Sequence, residues 1–308
     1  MAERGGARRR AADRGAGVHH VDFGGDPEGL TLVLVHGLGG SHLNWDLLAP
    51  RLTARHRVLA VDLPGFGLSA PTRHPATVRS NVAALARFVG SHTAPPVVLV
   101  GNSMGGLVSV LLAARAPHLV RGLVLLDPAL PAPARILRSP STALVLLVHA
   151  VPGLGELLRR TRRQRIGARA TVHETLQRCG IDPDRLPPEL VDRSVALVEH
   201  QSDVVGSDRA FLSASRSLAW ALTRQRTLEA AMSSLRMPVL LVHGTQDGLV
   251  PVGAARSAAA RHPQWRYREL PGVGHLPQLQ VPDLLAGYLT EWLDGLPAGP
   301  HHHTRRTP

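Results

Sequence analysis

The chain has 308 residues, 44% of them hydrophobic and 19% charged, a balance that supplies one large core and excludes a low-complexity disordered protein. Its 35 basic residues are all arginine and give a formal charge of +12; with no lysine, Schiff-base and P-loop lysine chemistry are excluded. The arginines are scattered apart from two runs, so no nucleic-acid partner is expected, and the single Cys179 excludes an intramolecular disulfide and reads as a structural thiol in a reducing compartment.

Residues 1 to 17 are basic and are not followed by a hydrophobic stretch, so they read as a flexible tail rather than an export signal, and the cytoplasm is the expected location. The first strand, 31 to 36, is an unbroken apolar run that breaks into His36-Gly37-Leu38-Gly39-Gly40. The pattern then predicts a helix over 42 to 54, a strand over 58 to 62, a helix over 77 to 91, a strand over 97 to 102, a helix over 104 to 116 and a strand over 122 to 127. Strands that read as continuous Val/Leu runs are buried on both faces, and helices between them require parallel crossovers, so the fold class is α/β with a doubly wound, mostly parallel sheet.

After Asp127-Pro128 the alternation stops, and residues 129 to 235 read as helical. Within them, 143 to 158 is apolar nearly all round and is followed by Arg159, Arg160, Arg162, Arg163, Arg165 and Arg169. A solvated helix face accounts for such a run; the alternative is that the apolar stretch lines an acyl pocket while the arginines attract an anionic carrier, a phosphate or a lipid surface. Strands at 239 to 243 and 265 to 269 and a helix at 283 to 294 complete the pattern, so 18 to 128 and 236 to 296 form one core, and 297 to 308, with His301, His302 and His303, a polar tail. No apolar stretch reaches the roughly 20 residues that a bilayer requires.

Four segments carry the chemistry. Gly101-Asn102-Ser103-Met104-Gly105 sits where a buried strand turns into a helix, and a serine pinched there needs neighbours almost free of side chains. The glycines after His36 let backbone N–H groups approach a developing oxyanion. Asp247 lies in a loop closed by Pro251 after one late strand, and His275 in a glycine-flanked loop after the next. Serine, then aspartate, then histidine is the chain order of one triad-bearing fold among the serine hydrolases.

On these segments the chain resembles the α/β-hydrolase fold superfamily from about residue 18 to 295, and Asp62-Leu63-Pro64-Gly65-Phe66-Gly67-Leu68-Ser69 is similar to an architectural loop of that superfamily. The resemblance implies that residues 129 to 235 form a helical cap. It implies Ser103 as nucleophile, His275 as base and Asp247 as its acid, with Asp127 an alternative acid. It also implies an oxyanion hole of the Leu38 and Met104 N–H groups, shaped by His36, Gly37, Gly101 and Gly105. Such a site needs neither metal nor organic cofactor.

The expected reaction is hydrolysis of a carboxylic ester or thioester of a small acyl compound through an acyl-enzyme. The elbow is also similar to that of carbon–carbon bond hydrolases, but the oxyanion loop and Leu276, where those relatives carry tryptophan, differ. A cofactor-free perhydrolase would need the same triad, and a noncatalytic receptor or scaffold is the alternative of another class.

Overall fold

A computed structural model describes residues 10–11, 18–131 and 154–297. The expected tails, apart from residues 10–11 and 297, and the apolar stretch from 143 to 153 lie outside the described residues.

Eight strands form one sheet in the order β1-β2-β4-β3-β5-β6-β7-β8. They are β1 (Arg10–Ala11), β2 (His20–Gly24), β3 (Leu30–Val35), β4 (His56–Val61), β5 (Val97–Asn102), β6 (Val120–Leu126), β7 (Val239–Gly244) and β8 (Arg266–Leu270). From β4 to β8 every neighbouring pair is parallel, whereas β1 and β2 add an antiparallel edge. Alternate residues of one strand enter different cores: Val33, Val35 and Leu99 pack on one side, Leu32, Leu34, Val98 and Val100 on the other. That two-sided burial is why these strands read as continuous apolar runs. β2 escaped the pattern because HVDFG is short and only partly buried.

The first of the crossover helices, α1 (Val78–His92), precedes β5, and α2 (Met104–Arg115) follows it. The helix expected over 42 to 54 is instead two 3-10 turns, His42–Trp45 and Ala49–Arg51. Pro50 has no N–H to give an α-helical ladder, and the segment closes with three-residue bonds from Asn44 N to Ser41 O and Arg51 N to Leu48 O. Burial of Trp45 and Leu48 holds it in place.

Between β6 and β7 lie α3 (Leu154–Arg178), α4 (Pro188–Asp203), α5 (Ser207–Thr223) and α6 (Gln225–Ser233). Gly167, at φ 78° and ψ 169°, breaks α3 into two helical pieces. Val172, Leu176, Ile181 and Leu190 of this insertion share an apolar cluster with Leu43, Leu276 and Leu279, so the insertion rests on loops at the C-terminal ends of the strands. Four of the six run arginines bind acids of the same insertion: Arg159 and Arg163 both reach Asp208, at 3.1 and 2.6 Å, Arg162 reaches Glu174, and Arg169 reaches Asp192 at 2.6 Å. After β7 come α7 (Val252–Arg261), α8 (Pro277–Gln280) and α9 (Pro282–Asp294). Among the described residues no helix is long and apolar enough to cross a membrane.

Asp62, fully buried after β4, ties the loops below this insertion together. It accepts the His42 N–H at 2.6 Å, the His42 and His19 Nδ1 hydrogens at 2.8 Å each, and the Leu68 N–H at 2.9 Å. Burial alone would raise this carboxyl, but the hydrogen bonds of His19 and His42, with the charge interaction of His42, overcome it and hold Asp62 well below the usual carboxylate range. Asp62→Ala strands those donors and should cost about 3 to 5 kcal/mol in denaturant unfolding. The folded pKa is depressed, so this contribution is complete above the ordinary carboxylate pKa of about 4 and drains away as pH falls through the folded value. Acid unfolding monitored by circular dichroism should therefore begin at higher pH once other carboxylates carry the transition in Asp62→Ala; an unchanged stability would remove the keystone role.

Candidate active site

Ser103 follows β5 in the middle of the sheet, at φ 54° and ψ −120°. A non-glycine residue in that region is strained and persists only where its surroundings dictate it. Here they do: Ser103 N–H donates to Leu126 O at 3.0 Å, and Ser103 O accepts from Ala129 N and Leu107 N. The side chain makes no capping bond to its own helix. A Cβ on Gly105 would stand 2.1 Å from Val35 O, and one on Gly101 would stand 2.6 Å from Gly105 O, so the turn closes only with glycine at both positions.

The same tightness brings the glycine loop after β3 against the serine, since a Cβ on Gly37 would lie 3.0 Å from Ser103 Cβ. His36 sets the direction of that loop. Leu63 N–H donates to His36 Nε2 at 3.0 Å, which makes Nε2 the bare nitrogen and Nδ1 the donor to Gly37 O at 2.7 Å. Burial keeps this imidazole neutral by lowering its pKa. A peptide's C=O and N–H point in opposite directions, so anchoring Gly37 O turns the Leu38 N–H the other way. Met104 opens α2, where the first N–H groups have no partner within the helix.

Asp247 and His275 meet from separate loops, Asp247 Oδ2 lying 2.6 Å from His275 Nδ1. Asp247 Oδ1 accepts the Leu249 and Val250 N–H groups at 2.7 and 2.9 Å, leaving Oδ2 for the imidazole. Burial pushes the Asp247 carboxyl up, but the His275 hydrogen bond and charge, with the two N–H groups, outweigh it and hold it below its ordinary value. Asp127 ends β6 nearby and accepts the Gly244 N–H at 2.8 Å. His243 bonds Val250 O at 2.9 Å.

Three contributions had no clear signal in the sequence. Asn102 Nδ2 donates to His275 O at 3.0 Å and to Leu126 O at 3.1 Å, tying the serine turn to the histidine loop; its place in the elbow was the available hint. The His275 N–H donates to Cys179 O at 2.8 Å, so the insertion holds the histidine loop through a backbone carbonyl. The Cys179 thiol itself is buried, and burial together with the Asp247 charge pushes it up to about 12, too high for a nucleophile near neutrality. Phe211 of α5 lies against Gly39, where an added Cβ would stand 3.1 Å from its ring, and the Arg159 guanidinium sits 3.6 Å above that ring.

The parallel sheet, with a strained serine at the end of a central strand and Asp247 and His275 after the last two strands, is an architecture shared with known proteins. The family model described as alpha/beta hydrolase fold matches residues 31–282, and the chain belongs to that family as a hydrolase. It is 28% identical to a pimeloyl-(acyl-carrier protein) methyl ester esterase of Edwardsiella ictaluri, covering 86% of this chain and 93% of that one. It is 30% identical to the esterase of the same name from Xanthomonas campestris pv. campestris strain B100, covering 90% of this chain and all of the other. Among solved structures, wild-type Cfl2 from Burkholderia cenocepacia matches with a TM-score of 0.74 at 26% identity, over 90% of this chain and 92% of that chain.

Proposed function

We propose that this hydrolase cleaves a carboxylic ester through an acyl-enzyme on Ser103, with His275 as base and Asp247 as its partner acid. The observation that carries the reading is the 2.6 Å contact of His275 Nδ1 with Asp247 Oδ2, in a site whose serine is held at φ 54° against the Gly37 loop. Serine is a poor nucleophile at its free pKa, so attack on the carbonyl carbon requires its proton to pass to His275 Nε2. Asp247 accepts the opposite imidazole hydrogen, fixes the tautomer and stabilises the imidazolium. The Leu38 and Met104 N–H groups receive the oxyanion. His275 then returns the proton to the leaving alcohol, and a water deprotonated by His275 releases the acid.

The decisive experiment is labelling with a fluorophosphonate probe. Wild type should label, and folded Ser103→Ala should not. A folded wild type that fails to label would favour a noncatalytic binding protein.

The esterase names of the relatives support an ester whose acyl part rides on a carrier protein, the exposed arginines of the run suit an anionic one, and the inserted helices act in this reading as a cap over the site. Arg160 and Arg165 are exposed and have no ion pair among the described residues, unlike the four run arginines that bind acids. Arg160→Ala combined with Arg165→Ala should lower kcat/KM for an acyl-carrier-protein methyl ester by about tenfold at low salt and spare the free methyl ester. The deficit should shrink as salt screens the attraction. Equal losses on both substrates at every ionic strength would return these residues to a solvated helix face.

A further inference from the structure

Among the described residues only two that are not glycine have a positive φ, Ser103 and Asp127, and both border this site. Asp127 is held at φ 43° at the end of β6, fully buried. Its N–H donates to Val242 O at 2.9 Å and its Oδ1 accepts the Gly244 N–H at 2.8 Å, so it stitches β6 to the strand that leads to Asp247. Its Oδ2 is buried without a hydrogen-bond partner among the described residues. A buried carboxylate oxygen left bare costs several kcal/mol, so this oxygen needs either a donor or a proton of its own.

Among the described residues no donor reaches Oδ2: His243 Nε2 lies 3.7 Å from the other Asp127 oxygen, Oδ1, and 3.5 Å from Asp247 Oδ2. Asp127, His243 and Asp247 each present a polar atom within 4.8 Å of the others. His243 Nε2 bonds the Val250 carbonyl, which only accepts, so that nitrogen carries the ring hydrogen and Nδ1 is bare. Burial holds this imidazole neutral. Glu269, facing His243 from β8, is bound by Arg256 at 2.8 Å and by the Tyr267 hydroxyl at 2.9 Å. His275 is committed to Asp247, and the Cys179 thiol nearby is uncharged. Two adjacent buried carboxylates repel, and His275, whose hydrogen bond and charge favour the ionised form of Asp247, makes no hydrogen bond to Asp127 among the described residues, so Asp127 is the member of the pair that takes a proton.

We propose, building on the triad reading, that Asp127 is a positioning residue in the form of an uncharged carboxylic acid: Oδ1 holds the Gly244 N–H while the Oδ2 hydroxyl donates to the Asp247 carboxylate. The proton stays on Asp127 throughout turnover. Asp247 keeps its single charge and gains a third anchor beyond the Leu249 and Val250 N–H groups. Burial first, and the Asp247 charge second, push the Asp127 carboxyl well above its ordinary value against the pull of the Gly244 N–H, in keeping with this assignment.

The test uses the whole protein. Infrared spectra at pH 7 should contain a protonated-carboxyl C=O band that disappears in Asp127→Asn. Asp127→Ala should lower kcat by about 10- to 100-fold with KM little changed, the size of effect seen for groups that orient a functional residue from behind. Asp127→Asn retains an acceptor for Gly244 and a donor for Asp247, and should regain most of that loss with the acid limb of kcat/KM in its wild-type place. Persistence of the band, an asparagine variant as poor as alanine, or an acid limb displaced by about one pH unit would each show that Asp127 is an ordinary carboxylate and overturn the proposal. If the alanine variant does not fold, the asparagine variant and the band decide. Because the band does not depend on turnover, it tests Asp127 even if Ser103→Ala retains hydrolysis and the triad reading falls.

Discussion

Ser103→Ala should lower kcat for p-nitrophenyl ester hydrolysis by about ten-thousandfold to a millionfold while leaving the circular dichroism spectrum and unfolding midpoint close to wild type. The oxygen removed makes no bond that caps α2, and the backbone around it is fixed by Leu126, Leu107 and Ala129 rather than by the side chain. His275→Ala should cost as much, because a hydroxyl without its base and a base without its hydroxyl are equally idle. The pair of substitutions together should cost little more than either alone, the mark of groups that act in one step. A well-folded variant of either residue with near-wild-type rates would remove the mechanism.

Asp247→Asn should lower kcat by about ten-thousandfold. The Leu249 and Val250 N–H groups fix how the new amide sits: they require its oxygen, so its NH2 must face His275 Nδ1. An imidazole offered a donor at Nδ1 places its own hydrogen on Nε2, where it cannot accept the serine proton. The fold survives while the wrong tautomer is locked in. Asp127→Asn should be far milder in the same assay, and the opposite ranking of the two variants would move the acid to the end of β6.

The strands were readable because burial on both faces of a parallel sheet writes Val and Leu at every position, as in VVLV before Gly101. The elbow was readable because its geometry forbids side chains at Gly101 and Gly105. The segment from 42 to 54 misled because its apolar spacing suits a helix, while Pro50 and the burial of Trp45 favour two tight turns. Asp62 could be placed in a familiar loop, but its partners His19 and His42 lie 43 and 20 residues away, and nothing local announces them. The carbonyl of Cys179 is the extreme case: any amino acid supplies one, so no residue type could have disclosed the hold on His275.

That hold limits how modular the molecule can be. A fold with a helical segment spliced between two strands invites the idea that the segment is an interchangeable roof, replaceable by another to change the substrate. Here the inserted segment is also part of the foundation: Cys179 O accepts the His275 N–H, Gln201 Nε2 donates to Gly67 O, and Phe211 lies against Gly39. Transplanting these helices would alter the placement of His275 and the set of the loop from Gly37 to Gly40 along with the choice of substrate. Specificity and rate are therefore expected to change together in chimaeras, and separately only in variants that leave those three contacts intact.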